Sequence, residues 1–306
     1  MSLLYKAQTR FLFHAHIKIK IPVFYDDSVF DYLFGILETV DKKYNSYQPD
    51  SYIDRINKNA GHFVSVDDVT IRLLRQAISW SDFFEGSFDI TVMPLIRLWG
   101  FYKTDGIRKV PEKAAIEKTK KIVNYKNIEI EDHSVRISSG QEIITGSFLK
   151  AYAVDCMIEA MRNMGINDAI VNAGGSTIYA INNETHPFWN INVRDTEENQ
   201  LLYTLHLANK CYTTSSQQET FVDINGEHYG HILNPLSGYP SSNRHVGIVT
   251  DKCFDGDIIS TGLFLQTLQG FEEKIGQLQK RMNIDGFITD KTGKRFVTPG
   301  FSTYHA

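Results

Sequence analysis

The chain has little cysteine, no surplus of positive charge and no long apolar run, and each shortage removes a class of protein. Three cysteines in 306 residues, Cys156, Cys211 and Cys253, are odd in number, far apart in sequence and without the Cys-x-x-Cys spacing of a zinc site or redox pair. They read as free thiols. Lys and Arg total 32 against 36 Asp and Glu, a formal net charge of -4, and no basic block forms a stripe for a phosphate backbone. Nucleic acid is not an expected partner. No apolar stretch reaches the roughly 18 to 20 residues of a bilayer span, and no charged leader precedes an apolar segment and cleavage site. No integral membrane segment is expected, and the expected compartment is the cytoplasm, with an exported or membrane-anchored form as the alternative if a leader precedes this sequence. Neither Gly-x-Gly-x-x-Gly nor a Walker lysine loop occurs, so the two commonest nucleotide-phosphate fingerprints are missing.

What is present is an ordinary globular balance, 42% hydrophobic and 22% charged residues, enough for one large core. Apolar residues alternate from Arg10 to Val23 and predict a half-buried strand; helical spacing over Asp27 to Val40 and Asp67 to Phe84 predicts two amphipathic helices. Between these helices, Tyr44 to Gly61 is polar and turn-rich. Lys103 to Lys121 reads as an exposed helix and Ile122 to Ile137 as a hairpin. A strand is expected to end at Thr145-Gly146-Ser147 and open a helix running to Met164. Further strands are expected at Asp168 to Asn172, Asn190 to Val193, Leu201 to Leu207, Lys210 to Thr214, Glu227 to Leu233, Val246 to Thr250 and Gly286 to Thr289, with a helix from Phe254 and another over Phe271 to Arg281. No internal repeat or long linker divides the chain.

Several stretches carry chemistry. His231 follows Gly230 at the end of the Glu227 strand and precedes an Asn-Pro and Ser-Gly turn, which would hold an imidazole beside room for a ligand. Lys150 lies in the first turns of a helix whose backbone N–H groups suit phosphate, although it could equally reach to water. Gly174 and Gly175 after a strand permit close approach of backbone to a ligand, or simply a tight turn. Asp89 and Thr91 could face inward or cap the chain before Pro94. Asp257 and Thr261 stand four apart on an expected helix, so their oxygens share a face and suit a hard cation such as magnesium; the alternative for Asp257 is to complement the helix dipole.

Taken in order, Tyr47-Gln48-Pro49-Asp50-Ser51, Ser87-Phe88-Asp89-Ile90-Thr91-Val92, Leu149-Lys150-Ala151-Tyr152-Ala153-Val154-Asp155, Val171-Asn172-Ala173-Gly174-Gly175, Thr214-Ser215, His231 to Pro240 and Asp257-Ile258-Ile259-Ser260-Thr261 resemble the successive motifs of the ApbE-type FAD:protein FMN transferases. The resemblance covers nearly the whole chain. It implies a single domain over residues 1–306 with an α+β flavin-transferase fold, mixed or antiparallel sheets and flanking helices. It also implies a transferase that moves FMN from FAD to a Thr or Ser hydroxyl of a target flavoprotein, releasing AMP with the help of magnesium. Under it, Asp257 and Thr261 hold the metal, with a main-chain carbonyl of the Thr145 to Leu149 turn as third ligand. His231 takes or positions the acceptor proton, making His231 and Asp257 the catalytic pair. Phe88, Asp89, Thr91, Lys150, Asp155, Asn172, Gly174, Gly175, Thr214 and His231 contact FAD.

The chain departs from the family pattern at six places. Asn234 replaces an aspartate before the proline, Ile144 an aspartate six residues before the lysine, Ala151 a glycine, Ser176 an acidic residue after the paired glycines and Ile90 a proline; Phe13-His14-Ala15 stands where Met-Gly-Thr is common. Two other activities share the same residues. An FAD pyrophosphatase would use water as nucleophile to give FMN and AMP, and a non-catalytic FAD-binding protein would hold the nucleotide without turnover.

Overall fold

The computed structural model describes residues 4–101, 109–195, 199–217 and 220–305. Its secondary structure is α+β, and the chain divides into two compact units whose segments interleave along the sequence.

The first unit comprises Met1–Lys42, Gly146–Ser215 and Arg244–Ala306. Its centre is an eight-stranded sheet in the spatial order Tyr5–Leu12, Ala15–Pro22, Ala169–Ala173, Thr177–Ile181, Cys211–Ser216, His245–Thr250, Ile284–Thr289 and Arg295–Val297. The single strand expected over Arg10 to Val23 is instead a hairpin. Phe13 and His14 both take left-handed backbone, φ 52 and φ 58, and the flanking strands pair from Tyr5↔Pro22 to Leu12↔Ala15. A two-residue turn with positive φ at both centres matches strand twist, but it is usually announced by Asn-Gly rather than Phe-His. Hydrophobic alternation therefore ran through it unbroken. Ile17, Ile19 and Ile21 are fully buried as expected, each worth about 1.5 to 3 kcal/mol of burial, whereas Phe11 stays exposed.

Helix Leu149–Asn163 lies against helix Cys253–Phe264, which in turn packs on strands His245–Thr250 and Thr177–Ile181. Helix Cys253–Phe264 is buried nearly all round, so it carries no amphipathic stripe to mark it. The segment Ile143 to Thr145 is not the expected strand, because only an isolated bridge, Val92↔Glu142, forms there. A hairpin, Trp189–Arg194 with Leu201–Leu207, adds Ile191, Val193 and Leu205 to a core shared with Tyr212, Phe287 and Phe301. Cys211 and Cys253, distant in sequence, meet in this unit with their sulfurs 2.6 Å apart.

The second unit comprises Lys43–Thr145 and Ser216–Asn243. Ser51 caps helix Tyr52–Lys58 by accepting from Asp54 N–H, and Asp67 caps helix Asp68–Phe83 by accepting from Thr70 N–H at 2.9 Å. Of the helix expected over Lys103 to Lys121, residues 103–108 lie outside the described residues, and Lys113–Lys120 is helical. Within the hairpin expected over Ile122 to Ile137, strands Glu129–Glu131 and Ser134–Arg136 pair and take Val64–Ser65 at their side, whereas Tyr125–Asn127 forms a short 3-10 turn in place of the start of the first strand. Trp99, Leu95, Ile96, Ile116, Val222 and Leu233 form the apolar cluster on which the His231 segment is built. Among the described residues no helix is long and apolar enough to cross a membrane.

Candidate active site

In the first unit the polar side chains gather around the helix Cys253–Phe264. Gly256 lets it sit close to the sheet, since a Cβ there would lie 2.6 Å from Thr250 Oγ1 and 2.9 Å from Thr213 Oγ1. Asp257, 7% exposed, accepts from Thr177 Oγ1 at 3.4 Å. Thr261 stands one turn on, its hydroxyl donating to the Asp257 carbonyl at 3.0 Å, and Ser215 Oγ lies 3.5 Å from Thr261 Oγ1 and 2.9 Å from Ser260 Oγ. The Thr177 hydroxyl thus meets the carboxylate, while those of Ser260 and Thr261 donate to the Asp257 main-chain carbonyl. Among the described residues no group of three or more His, Cys, Asp or Glu is placed to hold a metal. A soft or nitrogen-seeking metal has no donor set here. Hard oxygen donors, few in number and led by a single buried carboxylate, fit magnesium, which fills its shell with water and phosphate.

Asp155 bears on the same helix from the side. Its two carboxylate oxygens accept from the backbone N–H groups of Cys253 at 2.9 Å and Phe254 at 2.8 Å, the unpaired donors of the helix N-terminus. Burial raises its pKa to about 6, against the pull of those two donors. The structure therefore places Asp155 as a brace for the helix that carries Asp257 and Thr261. Phe148, the residue before helix Leu149–Asn163, meets Phe254 edge to face at 5.6 Å and locks the two helix starts together.

Lys150 donates to the Ala173 carbonyl at 3.2 Å and to Ser176 Oγ. Gly174 and Gly175 have φ +69 and φ +76, and Asn172 Oδ1 accepts from Gly175 N–H at 2.8 Å, closing the turn. A Cβ on Gly174 would meet Ala15 Cβ at 2.9 Å, so both the conformation and the space require glycine. Lys150, Asn172, Gly174, Gly175 and Ser176 thus form one constellation. Ser176 takes from Lys150 a hydrogen bond where an acidic residue would have made an ion pair, so the lysine's charge is not neutralised there.

In the second unit His231 sits at a bend between strands Glu227–Gly230 and Leu233–Asn234, not on the continuous strand expected over Glu227 to Leu233. Its N–H donates to the Thr220 carbonyl at 3.0 Å, and Nδ1 lies 3.0 Å from the same oxygen. A carbonyl only accepts, so Nδ1 carries the ring proton and Nε2 the lone pair. Burial lowers the pKa of the ring, which favours the neutral base. Asn234 Oδ1 accepts from Leu236 N–H at 2.9 Å and Ser237 N–H at 3.3 Å. An aspartate oxygen would make the same turn, so the departure at this position preserves the backbone. Gly238, φ +78, ends the turn with its carbonyl accepting from Trp99 Nε1 at 2.8 Å.

Asp89 and Thr91 serve each other. Asp89 Oδ1 accepts from Thr91 N–H and Oγ1, both at 2.7 Å, and Oδ2 accepts from Tyr125 N–H at 2.9 Å; Thr91 Oγ1 in turn accepts from Asn124 N–H at 2.9 Å. This network fixes the loop behind Phe88, which is 3% exposed.

Thr177 and His245 were not singled out by sequence reasoning. Thr214 Oγ1 donates to the Val246 carbonyl at 2.8 Å and lies 2.7 Å from His245 Nε2. With its one proton spent, Thr214 accepts from the ring, and His245 is neutral with its proton on Nε2. Burial holds its pKa down to about 4, and its Nδ1 is a buried acceptor without a hydrogen-bond partner. No sequence signal marks these residues, because strand pairing alone brings them to the motif positions.

Residues 13–285 match the ApbE family. The chain is 26% identical over 237 residues to a protein of Vibrio cholerae named FAD:protein FMN transferase, covering 75% of this chain and 71% of that one. A Klebsiella pneumoniae protein of the same name is 25% identical over 277 residues, covering 87% and 84%. Among solved structures, the ApbE protein of Thermotoga maritima superposes with a TM-score of 0.91 at 23% identity, covering 99% of this chain and all of that one. The flavin transferase ApbE of Vibrio cholerae does so with 0.83 at 20% identity, covering 99% of each. The α+β fold and the match along most of the sequence together mean that this chain belongs to the ApbE family.

Proposed function

We propose that the protein is a magnesium-dependent FAD:protein FMN transferase, which moves FMN from FAD to a Thr or Ser hydroxyl of a target flavoprotein and releases AMP. The observation that carries this reading is the single buried carboxylate, Asp257, with the Thr261 hydroxyl one turn on, in a chain whose family relatives bear that activity by name. The family match runs through segments of both units, which supports their action as one functional domain.

Asp257 and Thr261 would hold the metal, which supplies charge neutralisation for the pyrophosphate during an in-line displacement. Lys150, close to the paired-glycine turn and hydrogen-bonded there to a carbonyl and a hydroxyl, offers its positive charge to the nucleotide. His231 Nε2 accepts the proton that the acceptor hydroxyl loses as it attacks phosphorus, and Thr220 keeps the ring in the tautomer that can do so. Asp155 holds the helix that presents Asp257.

The test is incubation with FAD, magnesium and a threonine-containing acceptor peptide, following AMP and peptide mass, with Asp257→Ala in parallel. A peptide that gains FMN only with intact Asp257 supports transfer and the metal site. AMP released with no peptide labelled, across a panel of acceptors, would mean hydrolysis, and FAD bound but intact would mean a binding protein.

A further inference from the structure

Cys211 opens the strand Cys211–Ser216 and Cys253 opens the helix Cys253–Phe264. Both are fully buried, and their sulfurs are in contact across 42 residues of sequence. The surroundings supply no metal alternative, since among the described residues no third ligand stands with them. Cys156, on a different helix and partly exposed, is not part of the pair. Disulfide formation needs closely spaced thiols, and these two, free in this structure, already bring their sulfurs to 2.6 Å.

We propose that Cys211 and Cys253 become joined by a disulfide as the chain folds, stapling the helix that carries Asp257 and Thr261 to the strand that carries Thr214 and Ser215. The oxidant is a low-molecular-mass disulfide such as glutathione disulfide. One cysteine thiolate attacks it, forming a mixed disulfide and releasing one glutathione; the second cysteine thiolate then attacks that bond and releases the other. Two S–H bonds and the external S–S bond are lost, one internal S–S bond forms, and the two electrons leave with two glutathione thiols. Burial raises the pKa of both thiols in the folded chain, so reactive thiolate is scarce once the helix has docked. Once formed, the bond is fully buried and shielded from reductant. Its effect falls on the polar cluster, because the Ser215 Oγ to Ser260 Oγ contact at 2.9 Å spans the two elements it joins.

The test is to refold the full reduced chain in a mixture of reduced and oxidised glutathione, unfold it without reductant, alkylate it and map the peptides by mass. The expected result is alkylation of Cys156 alone, with the Cys211 and Cys253 peptides recovered as one linked species lighter by two hydrogens than their sum. Its melting midpoint should exceed that of chain refolded in dithiothreitol by roughly 5 to 10 °C. Alkylation of all three cysteines, or a link that includes Cys156, overturns the proposal. A Cys211–Cys253 link with an unchanged midpoint overturns the stapling. Cys156→Ser should retain the link.

Discussion

At His231 a single carbonyl decides which ring nitrogen can act. Thr220 accepts from Nδ1–H, so Nε2 carries the lone pair, and burial lowers the ring's pKa from its ordinary 6.5. His231→Ala should lower the rate of FMN transfer by about 10² to 10⁴ while leaving FAD binding within severalfold. The pH profile of kcat/KM gives an independent check. As the proposed base the ring acts in its neutral form, so activity should persist below pH 6.5 and fall on further acidification as the ring is protonated; an acid limb centred above 6.5 would argue against this role. His231 was visible in the sequence through its turn residues. Its tautomer was not, because the Thr220 carbonyl that fixes it comes from another strand-flanking segment.

The helix Cys253–Phe264 is the element on which the metal reading depends, and it is braced at its N-terminus by Asp155. Asp155→Ala leaves two backbone donors without their acceptor and should cost about 1 to 2 kcal/mol in urea unfolding, together with weaker magnesium half-saturation of activity. Asp155→Asn keeps one acceptor oxygen and should lie between. The folded pKa of Asp155 is raised to about 6, so between about pH 4 and 6 the folded chain binds more protons there than the unfolded one, and this group's contribution declines as pH rises. His245 is opposite. Its folded pKa is about 4, so the unfolded chain binds more protons between pH 4 and 6.5, and stability is lost there as pH falls. Asp155→Asn removes the compensating term and should make the loss on acidification from pH 6.5 to 4.5 steeper than in the parent. In the second unit the turn after Asn234 ends at Gly238, where φ is +78 and a Cβ would lie 2.3 Å from Ile116 Cγ2. Gly238→Ala should therefore cost about 2 to 4 kcal/mol, read as a lower urea midpoint, since left-handed strain and overpacking act together.

At the scale of the molecule, the sequence passes through each compact unit more than once. Ligand linkage offers a readout here that is independent of turnover. FAD with magnesium at about 100 times its dissociation constant should stabilise the folded chain by about 2.7 kcal/mol, seen as a raised melting midpoint. Chelation of the metal should remove part of that shift in the parent and none of it in Asp257→Ala. An identical shift with and without chelator in both would count against a metal at Asp257.

The sequence by itself determined the family, the helix spacing that puts Asp257 and Thr261 on one face, the helix beginning at Asp67 and the buried Ile17, Ile19 and Ile21 face. These are properties of local order and period, and nothing distant is needed to establish them. Only the tertiary structure decided that Phe13 and His14 turn the first strand back on itself, that His231 sits at a bend, that Asp155 braces a helix whose first residue lies 98 positions later, and that Cys211 and Cys253 touch. The Asp155 brace and the Cys211–Cys253 contact depend on helix docking between segments remote in sequence, for which a one-dimensional pattern carries no term, whereas the Phe13-His14 turn is local and lacks the Asn-Gly signal that would announce it.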